Sequence, residues 1–289
     1  MSLISPKEMF ESIRHAHLPE LLTYETRDNC KLYYRHYRAN SNIILILLHG
    51  ISEDSKYLFQ LAEYISSYHI AQVYTPDLRG YGANEPKGDV DYIGQLDDDI
   101  ADFIRFIKAT NNHSTIILGG HSFGGASVLR FSERETANQV DAYLFLAPYI
   151  HPSAPTNNYP IVSMSKFIML NVFDKIGFSK FHHWPVSTIN KPSELQHGGE
   201  ALQISFRLVM SRIPQNYQKN ILAIQKPTLV LISDRDELFD AEKFADLYKD
   251  NPNILCKILP QHNHDGILFS PLTIKELENW CKQLTLYRR

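Results

Sequence analysis

The sequence predicts an α/β protein with a mostly parallel central sheet and helices on both faces. Three observations carry this expectation. Short apolar runs alternate with segments of helical periodicity along most of the chain. Several runs are apolar at nearly every residue, as strands buried on both faces require. One of them leads through Gly120-His121-Ser122-Phe123-Gly124 directly into a helical pattern. The composition fits: 289 residues, 44% hydrophobic and 21% charged, suffice for a large core. A net charge of −3 gives no basic excess for nucleic acid.

The elements follow in order. Residues 22–38 read as a hairpin turning at Arg27-Asp28-Asn29, its second arm rich in aromatics. Ile43 to Leu48 is a strand buried on both faces. Residues 55–68 place Leu58, Leu61, Ala62 and Ile65 on one helical face. Residues 71–80 are a strand broken near Pro76. Leu96, Ile100, Phe103, Ile104 and Ile107 mark an amphipathic helix. Strand 114–120, helix 124–131 and strand 140–148 come next. Strand 227–233, helix 240–250, strand 254–259 and helix 271–285 close the chain.

Residues 151–225 interrupt the alternation. A structureless loop of that length is unusual in a compact domain. Segments 163–178 and 200–213 both suit helices. We read 1–150 and 226–289 as the core and 151–225 as an inserted helical cap. The alternative is a core extended by two more crossover helices. The cap holds one apolar group of Phe167, Ile168, Met169, Leu170, Val172, Phe173, Ile176, Phe178, Phe181 and Trp184, and another of Ile204, Phe206, Leu208, Val209 and Met210. At helical spacing most of these are expected in the core, with a few left to line a pocket.

Cys30, Cys256 and Cys281 are far apart and form no CxxC pair, which points to a reducing, cytoplasmic setting. The first 20 residues lack a signal-like apolar stretch. The longest apolar run spans 43–48, whereas a transmembrane helix needs about 20 residues. No Walker loop occurs, and no GxGxxG follows the first strand, so no nucleotide cofactor is expected.

Gly120 to Gly124 match G-x-S-x-G between a buried strand and a helix. A nucleophilic serine on such a turn needs small neighbours at both sides. The helix that follows aims its first amides at developing oxyanion charge. Ser122 is therefore the candidate nucleophile, and the Phe123 N–H one oxyanion donor. The second donor is expected after the first buried strand, at Ile51 behind His49-Gly50. A carboxylate should follow strand 227–233, where Asp234, Asp236, Glu237 and Asp240 compete. A histidine should follow strand 254–259, where His262 and His264 compete.

These motifs, with Asp77-Leu78-Arg79-Gly80-Tyr81-Gly82, resemble the α/β-hydrolase superfamily. More narrowly, they resemble its monoglyceride lipase and lysophospholipase-like branch, related to serine aminopeptidases. The resemblance covers nearly the whole chain. It implies an α/β-hydrolase fold and a Ser122, Asp236, His264 triad. Asp236 falls on the acid of the family's Gly-x-Asp turn, with Asp234 in the glycine's place. His264 falls on the base, and His262 takes a turn position. His49 and Asp77 to Gly80 are implied to be structural.

The resulting expectation is a serine carboxylic ester hydrolase with no cofactor and no metal, acting on a small-molecule ester with an apolar acyl group. A metal at His262 and His264 with Asp265, or with an aspartate from 234–240, is the weaker alternative, since a triad explains the placement without an ion. His182-His183 is read as a solvated or packed pair. Two further readings compete. One is an aminopeptidase or amidase, for which Glu194 or Glu200 would hold a substrate ammonium. The other is a binding protein that kept the fold.

Overall fold

The computed structural model describes residues 5–286. It opens with helix α1 (Pro6–His15), which no hydrophobic run announces. Its local signal is a capping box. The Ser5 hydroxyl accepts from the Glu8 N–H at 3.2 Å, and the Glu8 carboxylate accepts from the Ser5 N–H at 2.9 Å. Then come β1 (Leu22–Glu25), β2 (Lys31–Tyr37), β3 (Ile43–Leu48), α2 (Phe59–Ser67), β4 (Gln72–Pro76), α3 (Gln95–Thr110), β5 (Thr115–His121), α4 (Phe123–Phe131) and β6 (Ala142–Leu146). The insertion holds α5 (Met164–Lys175), β7 (Pro185–Thr188), β8 (Gln203–Ser205), α6 (Phe206–Met210) and α7 (Tyr217–Ala223). The chain ends with β9 (Thr228–Ser233), α8 (Ala241–Tyr248), β10 (Ile254–Leu259) and α9 (Pro271–Leu286).

Among the described residues, eight strands form one sheet in the order β1-β2-β4-β3-β5-β6-β9-β10. The β1–β2 and β2–β4 pairings are antiparallel and the others parallel. The period of two splits the apolar runs between the faces. Ile44, Ile46 and Leu48 pack with α3, α4 and α8. Ile43, Leu45 and Leu47 pack with α1, α2 and α9. Each such side chain contributes about 1.5–3 kcal/mol by leaving water. Much of the aromatic content lies here: Tyr24, Tyr34, Tyr74, Phe103 and Phe106 form one cluster of rings.

The strand expected over 71–80 with a break near Pro76 does end at Pro76, where Asp77 turns the chain. Its carboxylate accepts the N–H groups of Ser55 at 2.8 Å and Ala83 at 2.9 Å. Arg79 then pairs with Asp99 at 2.8 Å. The helix expected over 200–213 is instead strand β8, paired antiparallel with β7, followed by the short α6. Ser205 starts that helix late by accepting the Leu208 N–H at 3.1 Å.

The insertion is bound to loops at the carboxyl ends of the strands. Lys191 pairs with Glu53 after β3, at 2.9 Å. Arg207 pairs with Asp89 after β4, at 2.6 Å. The Asp240 N–H after β9 donates to the Thr156 carbonyl at 2.8 Å. Its second apolar group, Ile204 to Met210, is buried as expected. The first departs from the expectation. On α5 only Phe167 and Leu170 are buried, while Ile168, Met169 and Val172, and Ile176 just after the helix, face outward.

Candidate active site

Ser122 occupies the single-residue turn between β5 and α4. Its backbone sits at φ 52° and ψ −122°, a conformation unfavourable for a residue with a side chain. Local packing enforces it. A Cβ on Gly120 would stand 2.2 Å from the Gly124 carbonyl carbon, and one on Gly124 would stand 2.2 Å from the Leu48 carbonyl oxygen. Glycine at both positions lets α4 close against β3 and β5. The Ser122 N–H donates to the Leu146 carbonyl at 3.0 Å, and its own carbonyl accepts from Gly125 and Tyr149.

After β9 the four candidate carboxylates part company. Asp236 Oδ2 lies 2.8 Å from His264 Nδ1. Its Oδ1 accepts the N–H groups of Leu238 and Phe239, which fixes the carboxylate plane. Asp234 accepts the His262 N–H at 3.3 Å, and Glu237 the His264 N–H at 3.0 Å. Asp240 caps α8 through the Glu242 N–H at 3.2 Å. The structure thus brings Asp236 to the His264 imidazole and leaves Asp234 bracing the turn that carries His262. That turn has no glycine, and Gln261 takes the left-handed conformation at φ 65°.

Burial opposes charge on His264, but the adjacent Asp236, with Asp265 and Glu237, outweighs it and holds the ring above its ordinary value of 6.5. His121, beside the serine, has its ring centroid 4.7 Å from that of His264 and its Nε2 3.2 Å from the His264 carbonyl oxygen. Burial pushes His121 down to about 4, with His264 adding to the effect. It is therefore a neutral neighbour at physiological pH.

The loop after β3 lies against the serine. A Cβ on Gly50 would come 3.3 Å from Ser122 Cβ. His49 Nε2 accepts the Leu78 N–H at 3.1 Å, which puts its proton on Nδ1, 2.8 Å from the Gly50 carbonyl oxygen. Arg212 reaches the same loop, with Nη2 2.6 Å from the His49 oxygen and Nη1 3.2 Å from that of Gly50. With the Gly50 carbonyl so held, the N–H of the trans peptide to Ile51 points the opposite way. The Phe123 N–H is the first of α4 and has no carbonyl partner within the helix.

Sequence reasoning missed His121 and Arg212. His121 stands inside the Gly-x-Ser-x-Gly motif. Arg212 gave one weak sign, a charged residue amid Leu208, Val209, Met210 and Ile213.

Among the described residues, His121, His264 and Asp265 have ligand atoms within 4.8 Å of one another, close enough to hold a metal ion. His262 is not among them. Each already has one protein partner: Asp236 on His264 Nδ1, the His264 carbonyl on His121 Nε2, and the Tyr57 hydroxyl on Asp265, while His121 Nδ1 is buried without a hydrogen bond. His182 lies 3.1 Å from Asp174 and packs on Phe206, while His183 is exposed.

A mostly parallel sheet, a strained serine between strand and helix, and a carboxylate and imidazole after the last two strands define an α/β hydrolase. The family model described as serine aminopeptidase, S33, matches residues 39–268, and the chain belongs to that family. No curated protein matches it in sequence. Solved structures match in fold. A soluble variant of monoglyceride lipase from Saccharomyces cerevisiae is 19% identical, with 93% of this chain and 96% of that one covered, at TM-score 0.68. A thermophilic esterase from Thermogutta terrifontis is 17% identical, with 92% and 99% covered, at TM-score 0.67. An α/β hydrolase from a Penicillium species is 17% identical, with 91% and 98% covered, at TM-score 0.68. Among the described residues, no helix is long and apolar enough to cross a membrane.

Proposed function

We propose that this protein is a serine hydrolase of carboxylic esters that works through Ser122, His264 and Asp236. The observation that carries the reading is the 2.8 Å Asp236–His264 contact, with Ser122 held in its strained turn after β5, two strands from β9 and three from β10 in the same sheet. Ser122 Oγ attacks the ester carbonyl, and its proton passes to His264 Nε2. Asp236 holds the ring and stabilises the imidazolium. The carbonyl oxygen takes the negative charge and meets the N–H groups of Ile51 and Phe123. His264 then protonates the leaving alkoxide. A water, deprotonated by His264, clears the acyl-enzyme and restores the serine.

Residues 151–225 act as the cap in this reading. They are bound to the loops after β3 and β4, at the same ends of the strands as Ser122. Apolar rings surround the site. Phe123 stacks on Tyr149 at 4.2 Å, and Phe239 meets the His264 ring at 5.1 Å. A small-molecule ester with an apolar acyl or aryl group suits these walls, as in monoacylglycerols, lysophospholipids and aryl esters. Cys30, Cys256 and Cys281 are unpaired, which supports a reducing, cytoplasmic setting.

Peptidase chemistry is the second reading, favoured by the description of the family model. It needs a free carboxylate for the substrate ammonium. Glu200 is already engaged by the His197 and Gly198 N–H groups and by Lys191 at 3.2 Å. Glu194 is exposed in a short turn whose carbonyl binds Arg14. The test is a panel of aryl esters of rising acyl length, monoacylglycerols and aminoacyl arylamides. The expected result is ester turnover that falls by at least about 10³-fold in Ser122→Ala. Faster arylamide turnover, or an active Ser122→Ala protein, would contradict the assignment.

A further inference from the structure

We propose that Arg212 is a positioning residue that fixes and polarises the oxyanion-binding peptide between Gly50 and Ile51. The inference rests on the serine-hydrolase reading above and adds a residue from the cap to its machinery.

Arg212 is wholly buried, at 0% exposure. Burying a guanidinium is costly unless its donors and charge are satisfied. The described partners of Arg212 include no carboxylate. Nε donates to Ser127 Oγ at 3.1 Å, and Nη1 and Nη2 donate to the Gly50 and His49 carbonyls. The guanidinium carbon lies over two rings, 5.2 Å from the Tyr81 centroid and 5.5 Å from that of Phe123. A buried cation whose charge no acid neutralises, aimed at two successive carbonyls of the loop beside Ser122, is placed to act on that loop.

The action follows from peptide geometry. The Gly50 oxygen takes two donors, Arg212 Nη1 and His49 Nδ1. They pin the carbonyl direction, and the planar trans peptide then sets the direction of the Ile51 N–H on its far side. A charged donor on the carbonyl also draws electron density from the amide and strengthens the N–H as a donor. When Ser122 Oγ bonds to the ester carbon, the carbonyl π pair moves onto oxygen. That oxyanion forms only after attack, so the aid from Arg212 belongs to the transition state and not to substrate binding. The fork geometry matters too. A lysine ammonium is a point donor and cannot span Ser127, His49 and Gly50 from one plane.

The test uses Arg212→Lys and Arg212→Met in the full chain, with steady-state kinetics on one aryl ester and the rate of Ser122 phosphonylation. Ser127→Ala is included because it removes one anchor of the guanidinium and spares both carbonyl contacts. The expected result is a fall in kcat of about 10–100-fold in both Arg212 variants, with KM changed less than about threefold. Phosphonylation should slow by the same factor, and the pH inflection of the rate should stay at the wild-type value. Ser127→Ala should lose kcat by a smaller factor, again at constant KM.

Folded Arg212 variants with wild-type kcat, or with the loss carried in KM, would overturn the proposal. If neither Arg212 variant folds, Ser127→Ala with unchanged kcat and phosphonylation overturns it. Failure of the wild-type protein to be phosphonylated at Ser122 removes the hydrolase reading itself. That outcome differs from a labelled wild type whose Arg212 variants label equally fast.

Discussion

The proposed chemistry at Ser122, Asp236 and His264 depends on one protonation state. His264 would have to be neutral to take the serine proton, and Asp236, with Asp265 and Glu237, holds its folded value above 6.5. The rate of acylation is therefore expected to rise with pH, with an inflection above 6.5. Asp236→Asn removes the carboxylate that raises that value most. It should move the inflection down and lower kcat by about 10³–10⁴-fold. An inflection that stays in place would mean that another group titrates. Sequence order alone left Asp234, Asp236, Glu237 and Asp240 open, because each can follow a strand. The structure separates them by what each carboxylate accepts: imidazole for Asp236, and backbone N–H groups for Asp234, Glu237 and Asp240. Arg212 stayed hidden because its partners are main-chain carbonyls distant in sequence.

Elements of strict periodicity were legible, and elements set by tertiary partners were not. The run Ile43 to Leu48 announced β3 because every one of its residues is buried. Helix α4 was legible from its glycines, which permit contacts that no other residue allows. Gly124→Ala would drive a methyl to 2.2 Å from the Leu48 carbonyl oxygen, so the expected outcome is a less stable protein with the elbow displaced. Urea unfolding and phosphonate labelling measure the two effects. In the insertion, apolar residues at helical spacing misled. Ile204 and Phe206 flank Ser205, where a strand ends and a helix begins, and α5 leaves much of its apolar surface outside. Phe206→Ala, at a fully buried site, should cost about 3–5 kcal/mol. Ile168→Lys, at a site 56% exposed, should change stability by less than about 0.5 kcal/mol. Equal losses in denaturant midpoints would contradict the assigned faces of the insertion.

For the whole molecule, sheet order decides what meets at the strand ends, and residues 151–225 are tied to the loops there. One set of charges spans three parts of the chain. His197 from the insertion lies 3.3 Å from Glu53 after β3 and stacks on Phe10 of α1 at 5.9 Å. Burial opposes its charge, but Glu53, Asp54 and Glu200 outweigh it and hold His197 above 6.5. A raised folded value gives stability that is fully present below the unfolded value and is lost as pH climbs through the folded one. His197→Gln should therefore cost most below 6.5 and progressively less above the folded value. Urea midpoints of both proteins between about pH 5 and 9 read this directly. The central claim is that the strained serine between β5 and α4 is the nucleophile that His264 and Asp236 serve. Its most direct test is peptide mass mapping after reaction with an alkyl phosphonate. The account predicts one adduct, on Ser122, formed far more slowly in His264→Ala and Asp236→Asn. An adduct on another residue, or ester turnover that survives with Ser122 unmodified, would contradict it.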